Sequence, residues 1–361
     1  MFQGLYEILY YLPIIGFSSL LVFLLVPSII YVANQYQLFD NNQEKRKKHC
    51  YGICRLGGIA IFCSMVITML LFPGVNEIQS INYLIIACMM IFAMGLKDDL
   101  WGVNHGTKFF IQLLVAFMIV MLADVRLSSM YNIFNIQELN MGESLGLSIL
   151  VIIFIVNAFN LIDGIDGLLG ITSVLVGLTF ALLFISMNQP AYASLAFSMT
   201  GAAIGFLRFN ILPAKIFMGD AGSLLLGLIA AILSIKFIEL NNVGGDQVVH
   251  FNSAPAIAVA VLIWPIFDTI RIFILRIINK KSPFIADDNH LHHRILKLGL
   301  THFQATFLIT CIYAGIILLA FHFRYLSNTR ILGMLLIICV LLNMSLNFLT
   351  SFSQRRVGIP V

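Results

Sequence analysis

Eleven apolar runs decide what this chain can fold into. They cover approximately residues 10–32, 56–73, 80–97, 107–123, 145–161, 168–187, 191–207, 221–238, 254–278, 303–321 and 330–350. A helix crossing the hydrocarbon of a bilayer needs about 20 apolar residues. In that solvent only helices and closed barrels satisfy every backbone N–H and C=O group. The chain is 60% hydrophobic and 11% charged, against about 45–50% and about 25% in a soluble domain. The runs therefore predict an all-α, polytopic integral membrane protein with about 11 transmembrane helices. No internal repeat aligns and no stretch outside the runs resembles a soluble domain, so residues 1–361 read as one transmembrane domain. Glu7 precedes the first run without a basic segment, and no small-residue cleavage site follows. A retained helix is expected there, not a signal peptide.

Positive charge assigns the loops to sides, because cytoplasmic loops are enriched in Lys and Arg. Of 21 Lys and Arg residues, Arg126, Lys236, Arg324 and Arg330 fall on one set of loops and the other 17 on the second set. The amino terminus is then outside, the carboxyl terminus cytoplasmic, and five internal loops face the cytoplasm. The net charge of +4 is too small to read as a nucleic-acid signal.

The acids share that basic side. Asp98 and Asp99 stand in "GLKDDLWG", Asp163 and Asp166 in "NLIDGIDG", Asp220 in "FMGDAGS", and Asp287 and Asp288 in "ADDNHLHH". A carboxylate near membrane depth is a functional hypothesis by default. Two adjacent carboxylates at the end of the third run oppose the negative end of the helix dipole and call for a cation; the plain alternative is a solvated turn beside Lys97. Asp163 and Asp166, three apart, would share a face of one helical turn, although Asp163 could merely cap the next helix. Asp220 precedes a helix start, where free N–H groups favour phosphate; an N-cap is again the alternative. Oxygen ligands from Asp98, Asp99 and Asp220 would suit magnesium with a substrate phosphate.

His290, His292 and His293 stand in "HLHH", beside Arg294. No second ligand cluster completes a zinc site, and cationic neighbours favour a phosphate-binding patch, with a solvated loop as the alternative. The basic first loop, "EKRKKHCYGICRLGG", is a topology determinant or headgroup patch whose Lys48 could reach the same cleft. Cys50 and Cys54 there lack a second ligand pair for zinc. Asp268, in the ninth run, has Arg271 three residues on and an expected ion pair with it.

With these motifs in order, the chain resembles the polyprenyl-phosphate N-acetylhexosamine-1-phosphate transferases, integral membrane enzymes that begin bacterial lipid-linked glycans such as cell-wall polysaccharide and lipopolysaccharide. The resemblance runs from "RKKH…LGG" through "DD", "NLIDGIDG", "FN..PA.IFMGD.GS..LG" and "H.HH". The "HLHH" form with eleven runs is similar to the branch that transfers N-acetylglucosamine 1-phosphate to undecaprenyl phosphate. The phospho-MurNAc-pentapeptide branch has three consecutive histidines and a Gly-Thr-Pro-Thr stretch, where this chain reads "GICR". Cys54 stands where a proline is expected.

The resemblance implies a bacterial inner-membrane enzyme with its site facing the cytoplasm, and leaves a homodimer open. It implies that Asp220, with Asp98 and Asp99, holds Mg²⁺, or Mn²⁺ in its place, and that these three carry catalysis. It further implies substrate contacts from Lys48, Asn160, Asp163, Asp166, Asn210 and Phe217, whose ring would stack on uracil. The reaction implied is attack by a polyprenyl phosphate oxygen on the β-phosphorus of a UDP-N-acetylhexosamine, releasing UMP, by single or double displacement. A cation-coupled transporter is the rival class, since intramembrane acids serve those too. Acids confined to one side argue against it.

Overall fold

The structure, a computed structural model, describes residues 2–38, 52–72, 78, 80–133, 135–211, 213–242, 251–280 and 290–356. Within them run α1 (Phe2–Gln35), α2 (Gly57–Leu71), α3 (Ile81–Trp101), α4 (His105–Leu122), α5 (Met141–Leu161), α6 (Leu168–Ser186), α7 (Pro190–Asn210) and α8 (Gly219–Asn242). They are followed by α9 (Ala254–Val261), α10 (Ile263–Ile278), α11 (Leu291–Leu296), α12 (His302–His322) and α13 (Asn328–Arg356). A two-stranded antiparallel hairpin, β1 (Ser129–Ile133) and β2 (Ile136–Glu138), lies between α4 and α5.

Each of the eleven apolar runs forms helix, but they are not alike. Among the described residues, nine helices are long and apolar enough to cross a membrane. The second run gives a helix of only 15 residues, about 22 Å at 1.5 Å per residue and short of the ~30 Å hydrocarbon core. The ninth run, expected as one continuous span, breaks into α9 and α10 with a bend of 78°. Pro265 explains the break. It has no N–H for the carbonyl four residues back, and its ring crowds that carbonyl. The carbonyl concerned is that of Val261, and the hydroxyl of Tyr313 on α12 donates to it instead.

Helix α8 is the axis of the bundle, buried along nearly its whole length and packed against α3, α5, α2 and α6. At one end of α8 the helices meet backbone to backbone. A Cβ on Gly58 would lie 2.3 Å from the Gly222 nitrogen, and one on Gly95 would lie 2.6 Å from the Ala221 Cα. At the other end Glu239 accepts from the N–H and hydroxyl of Ser128, at 2.8 and 2.7 Å, and ties the hairpin down. Apolar side chains of α1 and α13 point outward, among them Leu24, Tyr31, Leu336 and Phe348, as a hydrocarbon solvent requires.

Candidate active site

The motifs converge where α3, α5 and α7 end and α4, α6 and α8 begin. Asp220 lies in the first turn of α8. One of its oxygens accepts from Asn160 Nδ2 at 2.8 Å, and Asn160 also donates to Ser223 Oγ at 2.9 Å. The other oxygen receives the ammonium of Lys108, whose Nζ lies 3.3 Å from Asp98 Oδ2. The N–H of Val103 holds the second oxygen of Asp98 at 2.8 Å. Two carboxylates from different helices thus flank one ammonium, all three half-buried. Desolvated charges of this kind persist only when paired.

Asp99 does something else. Its Oδ1 and Oδ2 accept from the backbone N–H groups of Asp220 and Ala221 at 2.8 and 2.9 Å. A negative group at a helix N-terminus satisfies orphan donors and complements the dipole, and here the cap is supplied by α3. The expected carboxylate trio is therefore a facing pair and a cap. The expectation of free N–H groups for phosphate at this helix start is also corrected, because Asp99 takes those of Asp220 and Ala221. Gly219 has φ +72, and a Cβ there would lie 2.6 Å from Asp99 Oδ2.

"NLIDGIDG" does not continue as helix. Helix α5 stops at Leu161, a turn follows, and α6 starts at Leu168 after Gly167 at φ +78. The helical reading of Asp163 and Asp166 gives way to this turn, and neither caps α6, whose N-cap position is Gly167. Burial and the nearby Asp220 charge push the Asp163 carboxyl up to about 7, with Arg55 pulling the other way. Asp166 faces α12: His302 Nδ1 lies 3.4 Å from its Oδ1, and Thr306 donates to its carbonyl at 3.0 Å. Buried Asn210 pins this turn to the loop before α8, accepting from Gly167 N at 2.8 Å and donating to Ile216 O at 2.9 Å. In that loop the Phe217 N–H donates to Cys54 O at 2.9 Å and its carbonyl accepts from Gly57 N at 3.0 Å. The first loop therefore docks beside the half-buried Phe217 ring. Lys48 lies outside the described residues.

The histidine segment packs under the same turn. His290 Nδ1 meets Asp268 Oδ2 at 2.9 Å, and the Leu291 N–H donates to Asp268 Oδ1 at 2.9 Å. This is the partner of Asp268, in place of the expected Arg271, whose Nε donates to Asn343 at 2.8 Å. His292 is 1% exposed, and both of its ring nitrogens are buried without a hydrogen-bond partner among the described residues. Burial holds its imidazole down to about 3. It packs on Gly164, where a Cβ would lie 2.2 Å from His292 Nε2. The His293 ring lies 4.4 Å from that of His292. Arg294 is buried and donates to Asn343, Asn347 and Thr350 on α13, so it anchors α11.

Among the described residues, no three His, Cys, Asp or Glu side chains gather as a ready metal site. Asp98 and Asp220 nevertheless converge on a point already taken by a cation, the Lys108 ammonium. Two carboxylates completed by substrate phosphates are what magnesium accepts, so this donor set fits, with Asp99 engaged elsewhere. No sequence motif marks Lys108 as a site residue. Its signal was a lysine in the first turn of a helix, where the dipole disfavours a cation unless carboxylates are near.

The sequence profile of glycosyl transferase family 4 matches residues 81–238, the segment that carries this constellation. A probable undecaprenyl-phosphate N-acetylglucosaminyl 1-phosphate transferase of Bacillus subtilis is 34% identical over 297 residues, 81% of this chain and 79% of its own. The chain belongs to glycosyl transferase family 4. A decaprenyl-phosphate N-acetylglucosaminephosphotransferase of Mycolicibacterium smegmatis is 30% identical over 296 residues, 76% of this transferase and 72% of that relative. An undecaprenyl-phosphate alpha-N-acetylglucosaminyl 1-phosphate transferase of Yersinia pestis is 29% identical over 298 residues, covering 80% and 79%. The transferase is thus a multi-pass membrane enzyme that moves a sugar phosphate, and the resemblance read from its motifs holds. That membership decides against the transporter.

Proposed function

We propose that the transferase moves N-acetylglucosamine 1-phosphate from UDP-N-acetylglucosamine to undecaprenyl phosphate and releases UMP. An oxygen of the lipid phosphate forms a bond to the β-phosphorus of the sugar nucleotide, and the phosphoanhydride bond to UMP breaks. A phosphate monoester has its second pKa near ~6, so the attacking group is largely dianionic at neutral pH and needs little base. What it needs is position and charge compensation. The observation that carries this reading is the meeting of Asp220, Asp98, Lys108 and Asn160 at the start of α8.

Each residue has a task there. The bond from Asn160 fixes the rotamer of Asp220, and the cap from Asp99 fixes its backbone. Lys108 presents an ammonium whose hydrogens can turn from carboxylate to pyrophosphate oxygens. Phe217 offers its ring to uracil, in reach of the first loop that carries Lys48. His290 and His293 hold an anionic substrate group, and neutral His292 spaces that segment from Gly164. Mg²⁺ or Mn²⁺ held by Asp220 and Asp98 would neutralise charge on the pyrophosphate as the bond to UMP breaks. The excess of Lys and Arg at this end of the bundle supports a site facing the cytoplasm of a bacterial inner membrane.

The test is purified protein with undecaprenyl phosphate and a panel of UDP-sugars, scoring UMP and lipid pyrophosphate. UDP-N-acetylglucosamine is the expected donor. Turnover with UDP-MurNAc-pentapeptide alone would move the chain to the peptidoglycan branch, and no UMP from any donor would overturn the reading.

A further inference from the structure

We propose that Asp268 is a positioning residue for the transfer reaction: it fixes the His290 imidazole in its Nδ1–H form and seats the start of α11 beneath the Asp163–Asp166 turn. The proposal rests on the reading that the histidine segment contacts substrate.

The geometry carries it in three steps. Asp268 is 0% exposed on α10, beyond the bend that Pro265 imposes. A carboxylate in such a place must be fully partnered. Both of its oxygens go to one short stretch of chain, Oδ2 to His290 Nδ1 and Oδ1 to the Leu291 N–H, each at 2.9 Å. A helical neighbour would have neutralised the charge more simply, so the arrangement does more than neutralise.

The second step is tautomer chemistry. An ionised carboxylate only accepts hydrogen bonds, so His290 Nδ1 must carry the hydrogen. Nε2 is then the ring's one remaining polar atom. It accepts when the ring is neutral and donates when the ring is protonated, with Asp268 beside it as counter-charge.

The third step is the path to the site. The His290 ring lies parallel to that of His292, at 5.4 Å and 16°, and His292 rests directly on Gly164, between the two acids of the turn. Moving His290 therefore moves the support of Asp163 and Asp166. His292 shows no such orientation, being buried with neither nitrogen bonded among the described residues.

The test is a double-mutant cycle of Asp268→Asn and His290→Gln, read as kcat/KM for sugar-phosphate transfer, with thermal stability in detergent measured for every variant. Asn keeps an acceptor for the Leu291 N–H but presents an amide to His290, which favours the other tautomer. Losing the partner that orients a metal-ligating histidine typically costs about 10- to 100-fold, and a loss of about that order is expected for Asp268→Asn in the wild-type background. In the His290→Gln background the same change should alter kcat/KM by less than about twofold, since nothing remains to orient. An equal loss in both backgrounds would make Asp268 merely structural and overturn the proposal. Wild-type activity of His290→Gln would instead overturn the reading beneath it. Should Asp268→Asn fail to fold, ¹⁵N-histidine NMR of the unaltered protein decides, with the His290 signal assigned by its loss in His290→Gln. An Nδ1–H tautomer is expected, and an Nε2–H tautomer would overturn the assignment.

Discussion

Asp99 accepts the backbone N–H of Asp220 at 2.8 Å, so one acidic motif holds the main chain of another. The adjacent carboxylate, Asp98, faces Lys108 and Asp220 instead. Two neighbours in sequence thus differ in kind, and the difference can be measured. Asp99→Ala is expected to lower the unfolding temperature, since a lost N-terminal cap costs about 0.5–2 kcal/mol. Asp98→Ala loses one backbone bond, from Val103, against two for Asp99→Ala, so it should lower that temperature less while lowering turnover. Thermal melts and transfer assays on both variants check the assignment, and the opposite pattern would reverse the roles.

Asp220→Asn preserves size but not charge. A ligand role predicts a large fall in turnover, with residual activity needing far more Mg²⁺. Mg²⁺ titration of variant and wild type, matched for thermal stability, is the measurement. Coincident curves would return Asp220 to a structural role. Full wild-type activity in EDTA would remove the metal altogether.

Phe217→Ala should raise KM for the sugar nucleotide more than it lowers kcat. Loss of a base-stacking ring is worth roughly 1–3 kcal/mol, or about 5- to 150-fold. The backbone bonds of Phe217 to Cys54 and Gly57 do not involve the ring, so the loop should stay docked. An unchanged KM would mean that the ring only packs.

Gly164→Ala puts a Cβ 2.2 Å from His292 Nε2. Overpacking of this kind typically costs 1–3 kcal/mol. His292→Ala in the same chain makes room, so the double variant is expected to recover the stability that Gly164→Ala loses. Melting both proteins checks this. A double variant no more stable than Gly164→Ala would show that the clash is relieved elsewhere.

Asp163 gives a pH dependence. Its carboxyl sits near 7 in the folded protein against 3.8 as reference. Between those values the unfolded chain releases a proton that the folded one keeps. Stability should therefore fall as pH rises through this window. In metal-free buffer the melting temperature of wild type is expected to decline from about pH 4 to about pH 7 more steeply than that of Asp163→Asn. Parallel curves would count against the shift.

The motifs were legible because they are local. "FMGD" and "NLIDGIDG" announce their acids, and their placement at one end follows from alternating spans. Partner choice was not legible. Asp268 was expected to bind Arg271 on its own helix, yet His290 arrives from 22 residues away once Pro265 has bent the span. The i, i+3 spacing of Asp163 and Asp166 argued for a helical face, but α5 stops at Leu161 and α6 starts only after Gly167, so both acids lie in the turn between them. Asp98 and Asp99 look equivalent in sequence, and only the approach of α8 separates them. Lys108 is a single lysine among apolar neighbours, and its meaning comes from two carboxylates 10 and 112 positions away.

The contact of Gly58 and Gly95 with the backbone of α8 gives the cleft two sides of unlike character. Along α2, α3 and α8 no side chain stands between the main chains at these points. Sliding one helix past another there would force backbone into backbone, so this side behaves as a fixed anvil. Across from it, side chains join α10 to α13 to one another, Asp268 to His290 and Arg294 to Asn343 and Asn347, and Thr306 joins them to the turn at the Asp166 carbonyl. Side chains change rotamer where packed backbones cannot. On the proposed function, accommodation of a bulky lipid phosphate and a sugar nucleotide would therefore fall to the histidine side, while the acids on the anvil hold their positions.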